Sequence, residues 1–73
     1  MSPDKLAYMA NQIGRFFAHQ PRDAAVASIE AHLRRFWDPR MRAAILVRPD
    51  GETVCLDPLV REAVDRLRER TTV

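Results

Sequence analysis

This chain of 73 residues has one cysteine, two glycines and no long apolar run. Cys55 has no second cysteine with which to form an internal disulfide, which favours a reducing compartment. No apolar segment approaches the roughly 20 residues that span a bilayer, and the first residues lack the apolar stretch of a signal peptide. We therefore expect a cytoplasmic protein with no membrane contact.

Residues able to bind a metal or attack a substrate are few and widely spaced. His19 and His32 are too far apart in sequence to form a zinc-binding pair. Neither glycine belongs to a phosphate-binding motif, because Gly14 stands alone in a predicted helix and Gly51 in a predicted turn. Cys55 lies between two aliphatic residues, so we expect it to be buried as a small hydrophobic side chain. We predict no catalytic, cofactor-binding or metal-binding residue in this chain.

Positive charge is concentrated in one segment, although the formal net charge is only +2. Residues 32–42 contain four arginines and one acid, whereas residues 57–70 contain four of each. A chain of this length buries only about 60% of its unfolded surface, so its core is small and a partner would add stability. We expect a single domain over residues 1–73.

Prolines divide the chain into helical segments. Ser2-Pro3, Asp38-Pro39 and Asp57-Pro58 each combine a capping side chain with a proline suited to the first helical turn. The first helix should end near Gln20, because the proline that follows disfavours helical geometry in the residue before it. The short connections predict an all-α fold, in which an antiparallel helix pair, a short third helix and a C-terminal helix form a small bundle.

Apolar residues repeated at the helical period define the expected core. The stripes of the first two helices have the same spacing. The expected core residues are Leu6, Met9, Ile13, Phe16, Phe17, Val26, Ile29, Leu33, Phe36, Met41, Ile45, Leu59, Ala63 and Leu67. After a third helix ending near Val47 we expect an extended loop, although the turn signal Pro49-Asp50-Gly51 leaves a small β-hairpin open.

The segment HLRRFWDPRMR, residues 32–42, holds most of the candidate binding residues. Tryptophan and arginine are enriched where proteins bind each other, so we assign Trp37 to the surface and leave Phe36 in the core. Asn11 points away from the apolar stripe of its helix, where a lysine or glutamate would be a better helix former. The predicted partner-binding residues are Asn11, Gln12, His32, Arg34, Arg35, Trp37, Arg40 and Arg42.

Arginines beside aromatic residues also occur in nucleic-acid-binding proteins, where they contact phosphates and stack on bases. The helical period argues against stacking, because Phe36 and Trp37 continue an apolar stripe. The third helix is also short for a recognition helix. A small basic helical regulator that binds nucleic acid is the alternative to a protein-binding chain.

Three segments of the chain resemble the delta subunit of soluble NAD-dependent formate dehydrogenase: YMANQIGRFFAHQP, IEAHLRRFWDPRMRAAI and LDPLVREAVDRLR. The most specific parts are residues 9–13 with Phe16-Phe17, and residues 36–42. Residues 48–55 depart from the resemblance. It implies a non-catalytic accessory subunit that docks on the alpha subunit and supports assembly or stability of the complex.

The resemblance also implies where the cofactors of such a complex lie. In that family the alpha subunit carries a bis-pterin guanine dinucleotide centre of molybdenum or tungsten and iron–sulfur clusters. Beta and gamma subunits carry FMN, NAD and further clusters. The implied partners of this chain are therefore proteins, with no nucleic acid, and no cofactor is expected in the chain itself.

Overall fold

The chain forms four α-helices in a computed structural model, which describes residues 2–71. The helices are α1 (Pro3–Phe17), α2 (Arg22–Phe36), α3 (Pro39–Val47) and α4 (Pro58–Thr71). The described residues contain no strand, so the predicted all-α bundle is confirmed and the loop after α3 forms no hairpin. None of these helices has both the length and the apolar character needed to cross a membrane.

Two N-terminal caps form as the sequence predicts. Ser2 Oγ accepts a hydrogen bond from the Lys5 backbone N–H at 3.1 Å, at the start of α1. Asp38 Oδ1 accepts one from the Met41 N–H at 2.9 Å, at the start of α3. Each cap satisfies one of the donors that a helix leaves unpaired at its first turn. α1 ends at Phe17, slightly earlier than predicted.

The core lies between all four helices, and α2 makes its most extensive contact with α4. α1 contacts each of the other three helices. The sequence pattern indicates a pairing of α1 with α2, which forms, but the larger contact joins elements further apart in the chain. The largest fully buried side chains are Val26, Ile29, Leu33, Ile45, Val60 and Val64.

Most predicted core residues lie in the core or against it. Leu6, Val26, Ile29, Leu33, Ile45, Ala63 and Leu67 are buried, and Met9, Ile13, Phe17, Met41 and Leu59 pack against them. Phe16 and Phe36 are wrong assignments, since they are 73% and 71% exposed. Adjacent residues of a helix point about 100° apart, so Phe16 and Phe17 cannot both face the same neighbour.

Trp37 belongs to the core and not to the surface where the sequence analysis placed it. It follows the last residue of α2 and is only 5% exposed. Its backbone is extended, with φ −82° and ψ 137°, so its side chain leaves the helical spacing and joins the buried cluster. Burying the indole removes more apolar area from water than burying the neighbouring phenyl ring of Phe36 would.

Small residues form much of the buried face of α1, which consists of Leu6, Ala7, Ala10, Asn11 and Gly14. A Cβ atom added at Gly14 would collide with the side chain of Val60 in α4. Glycine at this position therefore permits the close approach of the two helices.

The connection from α3 to α4 is held against α1 by the carboxylate of Asp4. This carboxylate accepts hydrogen bonds from the backbone N–H groups of Thr53 at 2.9 Å and Val54 at 3.1 Å, and from the Thr53 hydroxyl at 3.1 Å. A Cβ atom at Gly51 would lie 2.6 Å from Asp4 Cα, so the close approach requires glycine. The backbone hydrogen bond from Thr53, then that from Val54, lowers the pKa of Asp4.

A second carboxylate, that of Asp50, ties the same loop to α4. Asp50 Oδ1 accepts a hydrogen bond from the Leu56 N–H at 2.8 Å, and Arg61 Nη2 donates to the two carboxylate oxygens at 2.5 and 2.7 Å. The hydrogen bond from Arg61, followed by that from Leu56, lowers the pKa of Asp50. The same pairing with Asp50 raises the pKa of Arg61.

Trp37→Ala should lower the free energy of unfolding by about 3–5 kcal/mol, because it leaves a large cavity in a small core. The matched change Phe36→Ala, one residue earlier, should cost much less because that ring is exposed. Urea denaturation followed by far-UV circular dichroism measures both, since this signal does not depend on tryptophan fluorescence. Equal losses in the two variants would contradict the assignment of Trp37 to the core.

Asp4→Asn should reduce the dependence of stability on pH. The folded pKa of Asp4 lies below the unfolded value near 3.8, so its carboxylate stabilises the fold above that value. This contribution is lost as the pH falls through the folded pKa. Wild type and variant should therefore differ in Tm at about pH 7, and the difference should shrink as the pH falls through the folded pKa of Asp4.

Glu52→Gln is the control for this prediction, because Glu52 lies in the same loop and its side chain makes no hydrogen bond within residues 2–71. It should leave the pH dependence of Tm unchanged. A constant difference in Tm between wild type and Asp4→Asn over the whole pH range would show that the carboxylate of Asp4 does not hold the loop.

Candidate functional site

A row of four aromatic rings lies on the surface of α1 and α2. We name it the aromatic patch, and it consists of Phe16, Phe17, His32 and Phe36. The ring centroids are 5.1 Å apart for Phe16 and Phe17, 6.2 Å for Phe17 and His32, and 4.7 Å for His32 and Phe36. Phe17 and His32 are half-buried, whereas the two outer rings are mostly in solvent. The inner rings thus anchor the exposed ones to the fold.

A contiguous group of rings indicates a binding site more strongly than the exposure of a single ring does. Single apolar residues are common on soluble proteins, whereas contiguous apolar patches mark binding sites. Covering the two exposed rings would remove on the order of 250 Å² of apolar surface from water. At about 25 cal/mol per Å² this is roughly 6 kcal/mol of favourable free energy, before the costs of association.

A shallow groove runs beside the aromatic patch, and Arg35 lies at its edge. The groove is lined by Phe17, Ser28, Ala31, His32, Arg35 and Phe36. Ser28 Oγ donates a hydrogen bond to Gln20 Oε1 at 2.9 Å, which joins the connection between α1 and α2 to the α2 helix. Arg35 is exposed, and its guanidinium makes no hydrogen bond or ion pair in the part of the chain that the structure describes.

Arg34 and Arg42, both predicted to bind a partner, make contacts within this chain. Arg42 Nη1 donates to the carbonyl of Arg34 at 3.1 Å and to that of Trp37, at the end of α2 where carbonyls lack helical partners. The guanidinium of Arg34 pairs with the carboxylate of Glu30. Glu30 is buried and also pairs with Arg70 of α4 at 3.2 Å. These contacts therefore stabilise the packing of α2.

Asn11, expected on the surface, is buried and binds the loop before α4. Its Nδ2 donates to the Cys55 carbonyl at 2.9 Å, and its Oδ1 accepts from the Asp57 N–H at 2.9 Å. The face of α1 that packs is made of small residues, and this rotates Asn11 inward. Cys55 is exposed, contrary to expectation, because the loop turns its carbonyl and not its thiol towards α1.

The other predicted binding residues remain on or near the surface. Gln12 and Arg40 are exposed, whereas His32 and Arg35 lie in or beside the aromatic patch. The structure thus joins two predicted residues to Phe16 and Phe36, which the sequence analysis assigned to the core. The adjacent pairs Phe16-Phe17 and Phe36-Trp37 carry a signal of this, because neighbouring residues of a helix point about 100° apart and an apolar stripe favours one of them. Within residues 2–71 no group of three or more His, Cys, Asp or Glu residues could hold a metal ion.

Comparison with protein families decides which family this chain represents. The family model of the NADH-dependent formate dehydrogenase delta subunit, FdsD, matches residues 5–64. The chain belongs to this delta-subunit family. The matched range includes every residue of the aromatic patch and the whole of α2 and α3. Comparisons with curated proteins and with solved structures gave no match.

Membership in the delta-subunit family has a direct consequence for the exposed surface. A delta subunit is one component of a formate dehydrogenase complex, so proteins are its partners. The aromatic patch is suited to such a contact, because its apolar area lies beside Arg35, whose guanidinium is unpaired within residues 2–71.

Asn11→Ala should lower the free energy of unfolding by about 1–3 kcal/mol, because it leaves the Cys55 carbonyl and the Asp57 N–H without their partner. Gln12→Ala, at the exposed neighbouring position, should change it by no more than about 0.5 kcal/mol. Urea denaturation measures both changes, and hydrogen exchange of the Asp57 amide should become faster in the first variant only. A larger loss in Gln12→Ala would contradict the structural role of Asn11.

Proposed function

We propose that this member of the delta-subunit family is a non-catalytic accessory subunit of a cytoplasmic, NAD-dependent, molybdenum-containing formate dehydrogenase. It docks on the alpha subunit and supports assembly or stability of the complex. The observation that carries the proposal is the aromatic patch, where a subunit of a larger complex leaves two phenyl rings in solvent. Covering these rings in the assembled enzyme would recover the apolar burial that the isolated chain lacks.

The cofactors of the complex are assigned by this proposal to the other subunits. These are the bis-pterin guanine dinucleotide centre of molybdenum or tungsten, the iron–sulfur clusters, FMN and NAD. Residues 2–71 bring together no group of His, Cys, Asp and Glu that could bind the metal or a cluster. The proposed role of this chain requires none of these groups.

Within residues 2–71, the side chains that could act in catalysis lie apart from one another. The thiol of Cys55 is exposed and makes no hydrogen bond within the described residues, so no base activates it. His19 Nδ1 lies 3.1 Å from the carbonyl of Phe16, and His32 lies between two aromatic rings. In the part of the chain that the structure describes, these groups do not converge as a nucleophile, a base and an orienting group would, which supports an accessory role.

Stabilisation of the complex follows from mass action. A chain that binds the folded alpha subunit, but not the unfolded one, shifts the equilibrium towards the folded state. At a free concentration of about 100 times Kd, the shift is about 2.7 kcal/mol. The accessory subunit therefore needs no chemistry of its own to raise the amount of active enzyme.

The alternative function, a nucleic-acid-binding regulator, is disfavoured by where the side chains lie. Trp37 is buried and cannot stack on bases. Arg34 and Arg42 are engaged with Glu30 and with backbone carbonyls of α2. The basic segment thus keeps fewer arginines for phosphate contacts than its sequence indicates.

Co-expression of the tagged chain with the formate dehydrogenase subunits of the same source tests the proposal. The alpha subunit should be retained in a pull-down, and omission of the chain should shorten the half-life of NAD-dependent formate oxidation several-fold at raised temperature. The control is an unrelated tagged helical protein of similar size. No retention, with activity and half-life unchanged when the chain is omitted, would refute the proposal.

A further inference from the structure

Acidic side chains of the two helices that carry the aromatic patch are already engaged. In α2, Asp23 lies 3.7 Å from Arg66, and Glu30 binds two arginines. In α1, Asp4 binds the backbone of the loop before α4. No carboxylate of α1 or α2 is therefore left for Arg35, which lines the groove beside the aromatic patch.

Over the described residues, unpaired cationic side chains outnumber unpaired carboxylates. Within residues 2–71, five cationic side chains make no hydrogen bond or ion pair: Lys5, Arg15, Arg35, Arg40 and Arg48. Among the carboxylates of these residues, only those of Glu52 and Asp57 lack such a partner. A partner thus meets a surface whose available charge is mainly positive, and an acidic surface is its electrostatic complement.

The exposed rings of Phe16 and Phe36 are held in place by contacts with the inner rings of the aromatic patch. Phe36 packs on His32, and Phe16 packs edge-on against Phe17, which itself reaches the core. Rings already held in place lose less conformational freedom on association than mobile side chains do. Aromatic and arginine side chains in a desolvated centre are also the residues that dominate protein interfaces.

Covering the patch imposes a requirement on the partner. Arg35 lines the same groove as Phe36, so a surface that covers this ring also removes water from the guanidinium. A guanidinium buried without a partner is strongly unfavourable, whereas one that meets a carboxylate forms a strong, charge-assisted hydrogen bond. A suitable partner therefore needs an apolar groove for the rings together with an acid at the position of Arg35.

We infer that the alpha subunit receives Phe16 and Phe36 in an apolar groove and places a carboxylate opposite Arg35. This inference rests on the proposed function, since it takes the alpha subunit as the partner. A second copy of this chain fits less well, because a symmetric contact would bring two unpaired Arg35 side chains to one interface.

The test measures binding of this chain to the alpha subunit. Three substitutions, two in the aromatic patch and one at Arg35 beside it, are named the patch variants. Phe16→Ala, Phe36→Ala and Arg35→Glu should each raise Kd about tenfold or more, as expected for central interface residues. Arg35→Lys should keep more affinity than Arg35→Glu, because it retains the positive charge.

Matched controls are available elsewhere on the chain. Tyr8→Ala removes an aromatic side chain that is 57% exposed and makes no ring contact with the patch. Arg48→Glu reverses an unpaired cation that does not line the groove. Both should change Kd by less than about threefold, as expected for residues outside the contact. All the substituted side chains are exposed, and equal far-UV circular dichroism of the variants confirms that they fold.

The possible results separate the inference from the proposed function. If the wild-type chain does not bind the alpha subunit, both are refuted. If it binds, and the three patch variants bind as tightly as the controls, the inference is refuted and the proposed function stands. If the two phenylalanine variants bind more weakly but Arg35→Glu has no effect, the part of the inference that places a carboxylate opposite Arg35 is refuted. A dimer of the isolated chain that Phe36→Ala abolishes would identify a second copy as the occupant instead.

Discussion

Burial of Trp37 at the end of α2 is the interaction on which the rest of the structure depends. Its indole belongs to the core shared by all four helices, and its carbonyl accepts a hydrogen bond from Arg42 of α3. Phe36, one residue earlier, is the last residue of α2 and is mostly exposed. Phe36 then packs on His32 and extends the aromatic patch. At the end of α2 one aromatic side chain thus belongs to the core and its neighbour to the exposed surface.

Hydrogen bonds and ion pairs of polar side chains position segments that the small core does not hold by itself. Asp4, Asn11 and Asp50 together bind the loop between α3 and α4 through its backbone groups. These hydrogen bonds satisfy backbone donors and acceptors of the loop, which have no partner within a helix. The buried Glu30 similarly joins α2 to Arg70 of α4. The loop and the last helix are therefore placed by specific contacts and not by apolar burial alone.

The delta-subunit family gives this division between core and surface a functional meaning. A free-standing protein of this size gains by burying its aromatic rings, because its margin of stability is small. Two phenyl rings left in solvent beside an unpaired Arg35 suit a subunit whose surface is completed by another chain. Under the proposed accessory role, binding to the folded partner would raise the amount of folded partner by mass action.

Local signals in the sequence determined the helices. Ser2 and Asp38 bind the backbone as their position before a proline predicts, because capping depends only on neighbouring residues. Apolar periodicity also identified most of the core. It could not decide which of Phe36 and Trp37 is buried, or that Asn11 faces inward, because these depend on how closely other helices approach. Only the tertiary structure, with α4 packed against α2 and α1, decided which rings form the aromatic patch and left Arg35 beside it without a partner in residues 2–71.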